Sequence, residues 1–239
     1  MTALRSLLFN LAFYGWTTLA CILALPTLLL PRLVLVRLGW LWARVAIALL
    51  AGLAGLRYRV EGAALRPPRP AIYAFKHQSA LDTLLLPLLV RDPAIVLKHE
   101  LLWLPLFGWY LAKTGQIAID RRGGAKALKR LLRAAARCLG EGRSLTIFPE
   151  GTRVPPGERR PYHAGVAALY AQLGVPVVPV ALNTGLFWRR RSFVKKPGVA
   201  TIAFLAPIPP GLTRKAFLAT LEERTETACA RLLSKTTPE

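Results

Sequence analysis

Acids are scarce in this sequence, and none occurs before Glu61. Twelve Asp and Glu stand against 33 Lys and Arg over 239 residues, a formal net charge of +21. So basic a chain calls for an anionic partner. A nucleic-acid binder would be basic and polar and would carry a recognition motif. No such motif occurs, and 54% of the residues are hydrophobic, with a mean hydropathy of +0.38. Basic and apolar together point to an anionic membrane surface and away from nucleic acid. Cysteine is also sparse. Cys21, Cys138 and Cys229 are odd in number, far apart and in apolar or helical settings, with no C-x-x-C spacing. That excludes a disulfide framework and a cysteine metal site, and suits a reduced, cytosol-facing chain with inert thiols. No internal repeat and no low-complexity linker appears.

Charge is missing altogether from residues 6–31, "SLLFNLAFYGWTTLACILALPTLLLP". These 26 residues exceed the roughly 20 that cross a bilayer core as a helix. A second apolar segment, residues 38–56, is interrupted by Arg44. The first run is too long for a cleaved signal peptide, and no small-x-small cleavage site follows it. Arg5 lies on one side and Arg32 and Arg37 on the other, so the positive-inside rule assigns no orientation. The expectation is a membrane-embedded helical pair, either a spanning hairpin or inserted in one leaflet. The competing reading is two buried helices of a soluble core.

Past residue 56 the pattern turns to alternating strands and helices. Short apolar runs at 57–62, 71–75, 94–98, 116–120, 144–148, 175–182 and 199–205 read as strands. Between them, residues 124–142 carry Ala125, Leu128, Leu132, Ala135 and Leu139 at helical spacing, with a basic opposite face and a stop at Gly140. Thr213 opens a last helix over 213–234. The fold expected is an α/β layer, a mixed sheet flanked by helices, over residues 57–239, preceded by membrane-anchoring helices over 1–56. The run "VPVVPVAL" holds Pro176 and Pro179, which predicts an edge strand or an irregular wall.

Chemistry-bearing residues collect at strand ends. In "AFKHQSALDTLLL", residues 74–86, His77 and Asp82 stand five positions apart. In one regular helix they would not share a face. A strand ending near Lys76 and a helix capped by Ser79 would bend the chain and let Asp82 reach back to the imidazole. The pair is then either a base with its orienting carboxylate or only a helix cap beside a loop histidine. The loop "FPEGTR", residues 148–153, follows a strand and offers Glu150, Gly151 for close backbone approach, the Thr152 hydroxyl and Arg153. Arginine's fork matches a phosphate bidentately. Asp120, Arg121 and Arg122 end another strand. No G-x-S-x-G elbow surrounds Ser79, which argues against a serine hydrolase.

Taken in order, these segments resemble the 1-acylglycerol-3-phosphate (lysophosphatidate) acyltransferases among the glycerolipid acyltransferases. That family's H-x4-D motif matches "HQSALD" at 77–82, and its F-P-E-G-T-R block matches 148–153 without a change. The K-x2-L-x3-P-x2-G segment matches Lys98 to Gly108 with the leucine and proline reregistered. The isoleucine–aspartate–arginine block matches "GQIAIDR", and V-P-V-x-P-V matches 175–180. The likeness spans about residues 58–185. Lys76 stands where the family commonly has Asn, Val154 where Ser is frequent, and "PPGERR" lengthens the loop.

The resemblance implies transfer of an acyl group from a thioester donor, coenzyme A or acyl carrier protein, to the hydroxyl of lysophosphatidate at a phospholipid membrane. It implies no metal and no cofactor beyond the co-substrate. His77 would be the general base and Asp82 its orienting partner. Arg153 and Arg121 would hold the acceptor phosphate, with Lys98 next, and Glu150 would contact a hydroxyl or organise the loop. Glycerol 3-phosphate or another lysolipid is the alternative acceptor, and a non-catalytic basic membrane-binding protein is the distant alternative. The expected location is a membrane with the site on the cytoplasmic face, the inner membrane if the source is bacterial. The aromatic stretches 101–111 and 186–191 suit docking at the headgroup level.

Overall fold

The computed structural model of the chain describes residues 1–120 and 123–236. Among the described residues seven short strands form one sheet, and each coincides with a strand expected from the apolar runs: β1 (Leu56–Glu61), β2 (Ile72–Phe75), β3 (Ala94–Lys98), β4 (Ile117–Ile119), β5 (Leu145–Ile147), β6 (Val177–Leu182) and β7 (Gly198–Phe204). Their order across the sheet is β1-β7-β6-β2-β5-β3-β4. Strands β6, β2, β5, β3 and β4 run parallel, and β7 pairs antiparallel with β6 and parallel with β1. The sheet is mixed and lies between helices on both faces.

Alternation along β2 shows why. Tyr73 and Phe75 turn to one apolar layer, Ile72 and Ala74 to the other, as a two-residue period requires. The first layer takes Leu81, Leu85 and Leu86 from α3 (Ala80–Leu89), and Phe9, Ile47, Leu50 and Ala54 from the N-terminal helices. The second takes Leu131 and Ala135 from α5 (Gly124–Gly140), Leu169 from α6 (Ala164–Leu173) and Phe217 and Leu221 from α7 (Arg214–Ser234). A short helix, α4 (Phe107–Lys113), lies between β3 and β4.

Two expectations about the sheet and its covering helices need correction. β6 is not an edge strand; it sits between β2 and β7 and is buried throughout. Pro179 is tolerated there because its side of the strand faces the end of β7. Its carbonyl accepts from Leu205 N, just past the end of β7, and the only ladder bond forgone is the return bond that an N–H at 179 would make to Leu205. In α5 the expected stripe holds at Leu128, Leu132 and Ala135, which pack with buried Leu131 and Cys138, while Ala125 is exposed and Leu139 half-buried. The run Ala134–Ala136 makes the apolar phase ambiguous in sequence, and contact with α6 settles it.

Helices α1 (Thr2–Leu23) and α2 (Arg32–Leu49) pair through Trp16 Nε1, which donates to Trp42 O, and Trp42 Nε1, which donates to Thr17 Oγ1. α2 runs on as a wider turn to Ala54, giving 23 residues from Arg32. Both helices are long and apolar enough to cross a membrane, and only 11% of the apolar window of α1 is buried. Leu4, Leu7, Leu8, Leu11, Leu19 and Ile22 stand exposed on α1. Of the aromatic stretches, Trp103 and Trp109 are exposed, but Phe187 is buried and Trp188 packs edge-on against Phe9, 5.7 Å between ring centres. The second stretch therefore joins α1 to the core and does not present its aromatic pair outward.

Candidate active site

Because β6, β2 and β5 are adjacent and parallel, their C-terminal ends open onto one edge of the sheet. Ligands gather at such edges in open α/β sheets. β2 delivers His77 there. The chain then takes an extended turn at Ser79, whose hydroxyl oxygen accepts from Leu81 N at 3.1 Å and caps α3. Asp82 completes the capping box by accepting Ser79 N at 2.8 Å. The same Oδ2 takes Gln78 N at 2.7 Å and His77 Nδ1 at 3.0 Å. Helix cap and histidine partner are thus one carboxylate. A carboxylate only accepts, so Nδ1 carries the proton and Nε2 keeps its lone pair. Phe148 lies against the imidazole, ring centres 4.0 Å apart, and fixes its plane.

The loop after β5 closes on His77 from the other side. Glu150 Oε2 accepts His77 N at 3.1 Å, and Val154 N donates to His77 O at 2.8 Å. Gly151 turns the loop at φ +64°, in the left-handed region that favours glycine. The second Glu150 oxygen lies 2.6 Å from Lys76 Nζ, an ion pair off the hydrogen-bonding angle. With both oxygens turned inward and 3% of the residue exposed, Glu150 has the contacts of a loop organiser. Thr152 is partly exposed beside it.

Arg153 is half-buried at the same edge. Burial pulls its guanidinium below the usual range; the charge of Asp82 pulls it back up, and Arg190 lowers it further. Among the described residues no carboxylate forms an ion pair with Arg153, so the partly desolvated cation lies within electrostatic reach of Asp82 without a salt bridge. Lys98 ends β3, the second strand from β2, and pairs with Glu100 at 2.8 Å. Arg121 lies outside the described residues.

Residues 57–183 match the family described as Acyltransferase. The chain belongs to the acyltransferase family. It is 38% identical over 203 residues to the 1-acyl-sn-glycerol-3-phosphate acyltransferase of Pseudomonas aeruginosa, covering 84% of this chain and 77% of that protein. It is 30% identical over 220 residues to 1-acyl-sn-glycerol-3-phosphate acyltransferase alpha of Homo sapiens, covering 86% and 74%. The crystal structure of the 1-acyl-sn-glycerophosphate (LPA) acyltransferase of Thermotoga maritima superposes with a TM-score of 0.81 over 100% of both chains at 24% identity, which shows the shared fold.

Several residues of this acyltransferase site escape a reading of the sequence. Thr184, on the turn after β6, donates its hydroxyl to Asp82 Oδ1. Gly185 N donates to Gln78 Oε1 at 3.1 Å, and a Cβ at 185 would lie 2.8 Å from Pro156. The only signal in the sequence is a polar Asn-Thr-Gly directly after a buried strand. Lys76 departs from the family pattern, but nothing local reveals its partner Glu226, 150 residues away.

Proposed function

We propose that this acyltransferase moves a fatty acyl group from a thioester to the free hydroxyl of 1-acylglycerol 3-phosphate, making phosphatidic acid. The observation that carries the reading is the 3.0 Å bond from His77 Nδ1 to Asp82. With Nδ1 held, Nε2 takes the proton of the lipid hydroxyl as its oxygen attacks the thioester carbonyl, a contribution of about 10²–10⁴-fold. The tetrahedral oxyanion collapses, the C–S bond breaks, and the imidazolium returns its proton to the departing thiolate. Asp82 steadies the imidazolium throughout. The lipid hydroxyl is itself the nucleophile, so no acyl-enzyme forms. Ser79 is buried and occupied as a cap, which supports that economy of steps.

Arg153 receives the acceptor phosphate, with Arg121 and Lys98 as further contributors, and Gly151 and Thr152 border the acceptor. The names of the relatives support lysophosphatidate as that acceptor. The thiol of the donor belongs to coenzyme A or acyl carrier protein, and the residues proposed here need no metal. Residues 1–56 anchor the enzyme in the phospholipid membrane, and 57–239 carry the chemistry on the cytoplasmic face, the inner membrane if the source is bacterial.

The test uses the full-length protein in proteoliposomes with labelled lysophosphatidate and each donor in turn. Labelled phosphatidic acid should form with at least one. His77→Ala should abolish it at an unchanged melting temperature, and Asp82→Asn should cut turnover severely. Near-normal turnover in His77→Ala would mean the base is another group.

A further inference from the structure

The side chain of the residue before His77 is buried among charged and polar groups. Lys76 Nζ lies 2.6 Å from Glu150 Oε1, 2.7 Å from Glu226 Oε1 and 3.3 Å from the Glu158 carbonyl. Tyr162 donates its hydroxyl to the same Glu226 oxygen at 3.1 Å. Lys76, Glu150, Glu226 and Tyr162 are 1%, 3%, 5% and 7% exposed. One ammonium thus faces two carboxylates in the interior. Burial alone would lower the Lys76 ammonium, but the Glu150 and Glu226 carboxylates beside it outweigh that and hold it above its usual range. Burial raises the Glu150 carboxyl, and Lys76 with the His77 N–H offsets only part of the rise.

Such a cluster is a poor device for mere attachment. Desolvating ions cancels much of their attraction, and apolar residues of similar volume usually hold two elements together as well. α7 already has that apolar grip through Phe217, Leu221 and Leu232. A buried, directional cluster does add one fixed geometry. Its far end is the active loop, because the other Glu150 oxygen takes His77 N.

We infer that Lys76 and Glu226 are positioning residues for catalysis: the C-terminal helix, through Glu226 and Lys76, sets Glu150 against the His77 backbone and so aims the imidazole. The inference rests on the reading of His77 as the general base.

The test is a double-mutant cycle in the full-length protein, Lys76→Met, Glu226→Gln and both together, with kcat, both KM values and melting temperature measured beside His77→Ala. Lys76→Met leaves two carboxylates facing each other, and kcat should fall about 10²-fold, as misplacement of a catalytic group costs. Both KM values should stay within about twofold, since the loss is in the chemical step. Adding Glu226→Gln removes the surplus charge, and about tenfold of the kcat loss should return, a coupling that independent packing roles would not produce. A double variant no better than Lys76→Met, or coupling in melting temperature with none in kcat, would overturn the inference. Should Lys76→Met fail to accumulate, the isosteric Glu226→Gln decides. A lower kcat at constant melting temperature supports positioning, and an unchanged kcat overturns it. An active His77→Ala sinks the catalytic reading itself, a result distinct from absent coupling.

Discussion

Thr184 donates its hydroxyl to Asp82 Oδ1 across 102 residues of sequence, while the other Asp82 oxygen holds His77, Gln78 and Ser79. The side chain is 1% exposed, and both its oxygens are met by donors. Thr184→Val keeps the shape and removes the donor. The orphaned oxygen should cost about 1–3 kcal/mol of stability, and turnover should fall about tenfold as the imidazole loses its fixed partner. Thr184→Ser should restore both. Melting curves and turnover for the two variants check this, and equal losses in Ser and Val would assign the effect to the methyl group.

If Arg153 receives the acceptor phosphate as proposed, it separates lysophosphatidate from acceptors without a phosphate. Arg153→Ala should raise the KM for lysophosphatidate by at least about tenfold, the loss of one or more charged hydrogen bonds of about 1.5–3 kcal/mol each, and leave that for the thioester nearly unchanged. Arg153→Lys should recover only part, because a point charge does not reproduce a bidentate fork. A lysolipid lacking the phosphate should react poorly and indifferently to either change. Steady-state comparison of both acceptors at fixed donor is the measurement. Equal losses on the two would make Arg153 a structural or donor-side residue.

The N-terminal helices contribute to the core as well as to the apolar exterior. Full-length protein should stay with membranes through a high-salt wash, since apolar insertion is not screened. Phe9 is 0% exposed beneath the sheet, stacked on Phe13 and edge-on to Trp188. Phe9→Ala should therefore lower stability by about 3–5 kcal/mol, read as a shift in melting temperature in detergent. A release into the soluble fraction by salt would contradict the first expectation, and an unshifted transition the second.

Cys229 has its thiol pushed up to about 12 by burial, from an ordinary 9.0. Below both values the folded and unfolded thiols are equally protonated and pH has no effect. Between them the unfolded chain loses a proton that the folded chain keeps, so stability falls as pH rises through that window. At pH 8 the folded thiol should resist a water-soluble maleimide and react once the protein unfolds, because the thiolate is the reactive form. Mass spectrometry of the Cys229 peptide before and after denaturation tests it.

The positions of the seven strands, the cap at Ser79, the last helix at Thr213 and the two strand-end motifs were legible in the sequence, because alternation, capping and turn chemistry act over a few residues. The bond between His77 and Asp82 was legible only as one of two local readings: a bend and a helix start make it possible, and the folded chain shows that it forms. Tertiary structure alone decided that β6 is interior, between β2 and β7, with Pro179 opposite the residue just past the end of β7. It alone decided which stripe of α5 is buried. It alone brought Thr184 and Glu226 to the site, over 102 and 150 residues. Partners of a buried carboxylate or ammonium are chosen by which strands and helices become neighbours, and sheet order is a property of the whole chain that no local pattern encodes.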